Sequence, residues 1–208
     1  MKIEKVAKSE KNKEFFVVSF ENESNIKVST AQIADFGLYS GREFTTEEYK
    51  ELINAIALSS SKTRALRILG NRSLSARDME KRLTEKGGSV DAARETVEWL
   101  IETGMINDTE YASSIVKHYS VKGYGPARIK DELYKRGIPR EMWDDAIGGL
   151  EDGTQEEAAV EFIRQKLKGG REKDDVRSVK NALCRRGFSY EDAGTAVRRY
   201  LEEADETI

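Results

Sequence analysis

Residues able to do covalent chemistry are few in this chain of 208 residues, which holds one cysteine, Cys184, and one histidine, His118. A single cysteine excludes an internal disulfide, and one Cys with one His cannot supply a Cys/His zinc site. Ser-His-Asp chemistry would have to run through His118, and no Gly-x-Ser-x-Gly elbow accompanies it. Acidic pairs stand at Glu47-Glu48, Asp144-Asp145 and Asp174-Asp175. Adjacent residues on a helix do not face one another, so these read as solubility and capping features, not as metal ligands or acid/base pairs. Neither GYGPAR (123–128) nor KLKGGREKDD (166–175) has the Gly-x-x-x-x-Gly-Lys-Ser/Thr order of a phosphate loop. No cofactor, metal or enzymatic activity is expected.

Charge is the remaining resource. The chain carries 35 basic and 38 acidic residues, a net charge of -3, so no global positive field attracts nucleic acid. Only a local basic face could do so. Three clusters stand out: Arg77, Lys81, Arg82 and Lys86; Arg128, Lys130, Lys135 and Arg136; Arg177, Lys180, Arg185 and Arg186. On their own they read as solvated helix faces plus charges that complement helix dipoles.

The elements that carry these clusters repeat. Leu83-Thr-Glu-Lys-Gly87, Leu133-Tyr-Lys-Arg-Gly137 and Leu183-Cys-Arg-Arg-Gly187 follow one another at offsets of 50 residues. Four positions before each leucine stands an apolar residue, Met79, Ile129 or Val179, on the same helical face. The basic residue falls in the last turn, and the glycine at C′ ends the helix. Starts repeat too: Ser75 with Asp78, Gly125-Pro126, and Asp174 or Asp175. A further helix follows each glycine, marked by Ala93 and Val97, Trp143 and Ile147, and Ala193 and Val197, with restarts at Ser89, Pro139 and Ser189. Another apolar helix precedes each unit, the first holding Ala65, Leu66 and Leu69.

The fold expected is mainly α: an elongated, curved array of three tandem three-helix repeats behind a small strand-containing N-terminal module. The divisions are 1–60 for a β-rich module with a trailing helix, then 61–107, 108–153 and 154–208 for the repeats. In the first segment KIEKVA, EFFVVSF and SNIKVS read as strands, with a turn over 22–25 and a short helix ending near Gly37. Thr45 or Thr46 caps the trailing helix, and LSSSK (58–62) reads as a linker. Trp143 and Trp99 read as core residues, and Tyr119, Tyr124 and Tyr134 as packing between repeats. A helix-turn-helix reading of the central unit places Glu141, Asp144 and Asp145 on the recognition helix, which argues against base reading.

RALRILGNRSLSARDMEKRLTEKG (64–87), GMINDTEYASSIV (104–116) and KGYGPARIKDELYKRGIP (122–139) together resemble the RecX regulatory proteins of bacteria. The third repeat keeps the pattern with fewer family-typical residues, and KIEKV and GLYSGREFTTEEY match longer members. The resemblance implies a regulator that binds the RecA filament on single-stranded DNA and inhibits its ATPase, recombinase and coprotease activities. It also implies possible contact with single- or double-stranded DNA. It makes Arg77, Lys81, Arg82, Arg128, Lys130, Lys135, Arg177, Lys180 and Arg185 candidate contacts to RecA or DNA. For Lys86, Arg136 and Arg186, helix capping is the better account. The rival reading is a helical module that binds nucleic acid directly, and a blander one is a scaffold for another partner. No run approaches the roughly 18 apolar residues of a spanning helix, and the start lacks a signal-peptide core. A cytoplasmic monomer is expected.

Overall fold

The structure, a computed structural model, describes residues 1–10, 12–21, 23–70, 72–85, 87–150, 153–167 and 173–206. Asn22, Lys86 and the 168–172 part of KLKGGREKDD therefore lie outside the described residues. Two compact units form: Met1–Arg72 with Glu80–Glu102, and Ser73–Met79 with Thr103–Ile208.

In the first unit, β1 (Ile3–Lys8), β2 (Phe15–Phe20) and β3 (Ile26–Ser29) make an antiparallel sheet in that order. Alternation along β2 and β3 buries Val18, Phe20 and Val28 on one face. Ile3, Leu38, Phe44 and Leu52 complete this core. Ser29 and Gln32 form a capping box that starts α1 (Thr30–Phe36), which stops at Gly37 in the left-handed region, φ 54°. Thr45 and Glu48 form a second box that starts α2 (Thr46–Leu69).

The expected linker at 58–62 does not exist: it lies inside α2, a single helix of 24 residues. LSSSK contains no glycine or proline to end a helix, and the hydroxyl of Ser61 finds a partner. Ser61 Oγ accepts from Thr96 Oγ1 at 2.9 Å, and the carbonyl of Ser59 accepts from Thr63 Oγ1 at 2.9 Å. Through this contact α2 packs along α4 (Val90–Glu102). The intervening α3 (Ala76–Thr84) is short.

The second unit holds α5 (Asp108–Val121), α6 (Pro126–Lys135), a 3-10 turn at Arg140–Met142, α7 (Trp143–Gly148), α8 (Thr154–Leu167), α9 (Lys173–Arg185) and α10 (Tyr190–Glu206). Each triplet closes its own apolar cluster. Ala112, Ile115, Val116, Ile129, Leu133 and Ile138 form one. Ala159, Ile163, Val179, Leu183, Phe188, Ala193 and Val197 are among the residues of the other. The apolar positions read from the fifty-residue period, Ile129 with Leu133 and Val179 with Leu183, are the buried ones. Trp143 is half-buried against the cluster of Ile129 and Leu133 and donates Nε1–H to the Ile138 carbonyl at 3.0 Å. Tyr119 and Tyr124 pack on the same cluster, but Tyr134 is exposed.

One start differs from expectation. The described span of α9 starts at Lys173, so Asp174 and Asp175 fall within the helix and not at the position before it.

Candidate partner-binding face

The nine candidate cations sit on α3, α6 and α9, the middle helix of each unit. The repeated Leu-x-x-basic-Gly turn positions these helices. At the end of α6, Gly137 N–H donates to the Tyr134 carbonyl at 3.0 Å and Ile138 N–H to the Leu133 carbonyl at 3.1 Å. At the end of α9, Gly187 and Phe188 repeat the pattern onto Cys184 and Leu183. This is the Schellman motif, and it needs the left-handed backbone found at Gly137 (φ 71°) and Gly187 (φ 94°). Leu133 with Ile138, and Leu183 with Phe188, are buried as the motif's apolar pair.

The same turns dock onto the start of another helix. Gly125 N–H donates to the Arg186 carbonyl at 3.0 Å, and Ala127 N–H to the Gly187 carbonyl at 3.1 Å. The unsatisfied donors at the start of α6 and the spare acceptors past α9 thus pair with each other. Fifty residues earlier, Ser75 Oγ donates to the Arg136 carbonyl at 2.6 Å and accepts from Asp78 N–H at 3.2 Å. Asp108 accepts from Ala76 N–H at 3.0 Å. Burial raises the Asp108 carboxyl above its ordinary value, and this amide bond opposes the rise.

Arg186 caps a helix, but not its own. Its Nη1 donates to the carbonyls of Lys122 and Gly123, at 3.0 and 3.3 Å, at the end of α5. Its guanidinium also lies over the rings of Phe162 and Tyr124.

The central cluster is partly offset by internal carboxylates. Glu132, buried at 7% exposure, receives Arg136 Nη1 at 2.6 Å, Lys135 Nζ at 2.9 Å and Tyr119 OH at 3.0 Å, with Arg128 Nη2 at 3.4 Å. Hydrogen bonding from Arg136 above all, with Lys135 and Tyr119, pulls its carboxyl down to about 2 against the pull of burial. Arg136 also donates to Tyr119 OH at 3.1 Å. Sequence reasoning passed over Glu132, although its spacing was visible: it lies four residues from both Arg128 and Arg136 and three from Lys135. Lys130 pairs with Asp144 of α7 at 2.7 Å. The structure therefore brings Arg128 and Lys135 together on one carboxylate and sends Lys130 to another.

The remaining six behave differently. The stem of Arg77 lies against the Gly137 turn. Lys81, Arg177 and Arg185 are exposed, and Arg82 keeps its Nε buried without a partner. Lys180 sits 3.5 Å from the ring centroid of Tyr190. Among the described residues none of these six forms an ion pair.

Successive three-helix units, closed by one recurring turn and faced with ionic side chains, make this a tandem helical-repeat protein. A sequence model described as "RecX, second three-helix domain" matches residues 107–147. A regulatory protein RecX of Xanthomonas axonopodis pv. citri is 32% identical over 142 residues, covering 67% of this chain and 87% of that one. One from Caldanaerobacter subterraneus subsp. tengcongensis is 27% identical over 197 residues, 95% of this chain and 98% of its own. The chain belongs to the RecX family of regulatory proteins. A crystal structure of a regulatory protein RecX shares its fold, with a TM-score of 0.71 over 94% of this chain and 98% of that chain, at 21% identity. The crystal structure of RecX from Lactobacillus salivarius gives 0.65 over 70% and 97%, at 26% identity.

Proposed function

We propose that this protein binds RecA assembled on single-stranded DNA and restrains its ATPase, recombinase and coprotease activities. It would thereby modulate homologous recombination, DNA repair and the SOS response. The observation that carries the reading is membership of a family of regulatory proteins over nearly the whole chain. The site supports it physically. Arg77, Lys81, Arg177, Lys180 and Arg185 carry charge that no internal carboxylate neutralises among the described residues. Such cations are free to meet an acidic partner surface, and several modest contacts on one repeat scaffold reinforce each other. The role asks for binding alone, from a non-enzymatic cytoplasmic monomer.

The test is RecA's ATPase rate on single-stranded DNA with substoichiometric protein added. A fall in rate with filament binding is expected; an unchanged rate without binding would overturn the proposal. The same unpaired cations favour a second reading, direct binding to DNA. That reading predicts affinity for DNA without RecA that falls steeply as salt rises.

A further inference from the structure

The fifty-residue register puts three pairs of side chains in the same place: Glu80 with Arg94, Lys130 with Asp144, and Lys180 with Gly194. The first two pairs are of opposite charge. In the second repeat the pair is closed, with Lys130 Nζ 2.7 Å from Asp144 Oδ1. In the third the lysine is kept and the carboxylate is missing.

Gly194 lies inside α10, where glycine costs about 1 kcal/mol relative to alanine. A methyl group there would stand 2.9 Å from Lys180 Nζ, the movable end of a long side chain, so the glycine leaves an open notch beside the ammonium. The ammonium meets the Tyr190 ring at 3.5 Å and has no carboxylate within ion-pair distance among the described residues. Tyr190 itself is 71% exposed.

We infer that the Lys180–Tyr190–Gly194 notch is a binding site for a carboxylate side chain of a partner protein, which completes the ion pair that Asp144 completes within the second repeat. The partner's carboxylate sits over the notch, and the exposed ring of Tyr190 covers the apolar stem beside it. A carboxylate is favoured over a phosphate on two grounds. The sister position is filled by one, and Glu191 and Asp192, next to Tyr190 on the first turn of α10, repel an extended polyanion.

Where the partner is RecA, this rests on the proposed function, so the test has two arms. In the first, a short peptide carrying one glutamate among glycines is titrated into the full chain while the Tyr190 ring is followed by NMR. The ring signals are expected to shift in wild type and in Gly194→Ala, and not in Gly194→Asp, where the chain's own carboxylate fills the notch. No shift in wild type, or a shift retained in Gly194→Asp, overturns the site. A shift given by inorganic phosphate at lower concentration than by the peptide overturns the carboxylate assignment. In the second arm, binding to RecA–single-stranded DNA filaments is measured. Gly194→Asp and Lys180→Gln are expected to lose about tenfold in affinity, the scale of one charge-assisted contact, and Gly194→Ala no more than about twofold. Equal losses in Gly194→Ala and Gly194→Asp would mean that bulk, not charge, matters, and overturn the inference. Failure of wild type to bind filaments removes the proposed function, while the peptide arm still decides the site. Gly194→Asp is expected to melt no lower than wild type, which separates lost binding from lost folding.

Discussion

The amide of Ala127 donates to the carbonyl of Gly187 at 3.1 Å, so the turn that ends α9 rests on the first turn of α6. The contact leaves no room for a side chain. A methyl group on Gly187 would collide with the backbone nitrogen of Arg128. The corresponding position in the first repeat, Gly87, also has positive φ, 82°, but nothing lies within 4 Å of a methyl there. Gly187→Ala is therefore expected to cost roughly 3 kcal/mol or more, from strain plus overpacking. Gly87→Ala should cost roughly 1 kcal/mol, from strain alone. Urea unfolding of the two variants measures the difference, and equal costs would contradict the docking.

Glu132 links stability to acid. Its folded carboxyl titrates at about 2 against an ordinary 4.5, so its stabilisation is present above pH 4.5 and is lost as pH falls toward 2. The full difference corresponds to roughly 3 kcal/mol. Glu132→Gln leaves Arg136, Lys135 and Arg128 without their shared counter-ion and should destabilise by roughly 2–3 kcal/mol at pH 7. The gap between wild type and variant should close between about pH 5 and pH 2. Thermal melts across that range test it; a gap independent of pH would show that the charge is not what matters.

Ser60 stands in the middle of α2. A proline there removes a helical hydrogen bond and clashes with the preceding turn, so Ser60→Pro should cost roughly 3 kcal/mol. The same change in a flexible linker would cost next to nothing. Loss of ellipticity at 222 nm together with a lowered melting temperature is the expected result.

Lys130 and Asp144 pair at the surface, with side chains 42% and 86% exposed. Solvent screens such a pair, and Asp144→Ala should change stability by less than about 0.5 kcal/mol. Chemical denaturation in low and high salt checks this, with a larger, salt-sensitive loss contradicting it.

Legibility from sequence followed the range of the forces involved. Local signals were readable: the apolar pair Ile129 and Leu133, the proline that starts α6, the capping residue Thr45, and the glycine turns all act within one helical turn or so. The missed helix over 58–62 shows the limit of composition. Three serines suggest a loop, but the helix runs through them, and Thr96, 35 residues from Ser61, gives that hydroxyl a partner. Glu132 was hidden for a related reason. Its spacing to Arg128 and Arg136 was visible, but its burial depends on Tyr119, which arrives from another helix. The three clusters read alike in the sequence, yet Arg128, Lys130 and Lys135 are the candidates paired in the fold, because charge balance is settled by neighbours in space. The vacancy beside Lys180 emerged only when equivalent positions were compared across the three copies, with one closed pair as the reference.

Arg64 Nη1 reaches the carbonyls of Leu83 and Glu85, each at 3.3 Å, at the end of α3. Serine and arginine stand at the equivalent positions of the later copies, Ser114 and Arg164, and Arg164 is committed instead to Glu161 and Glu203. The foremost copy thus seals its own exit with a side chain, where the second gives its Arg136 carbonyl to the hydroxyl of Ser75 and the third hands its carbonyls to the backbone of α6. The copies are consequently not interchangeable modules. Shuffling their order would strand the acceptors that Arg64 serves and put bulk where Gly125 allows none, so duplication alone could not lengthen this protein without new residues at both seams.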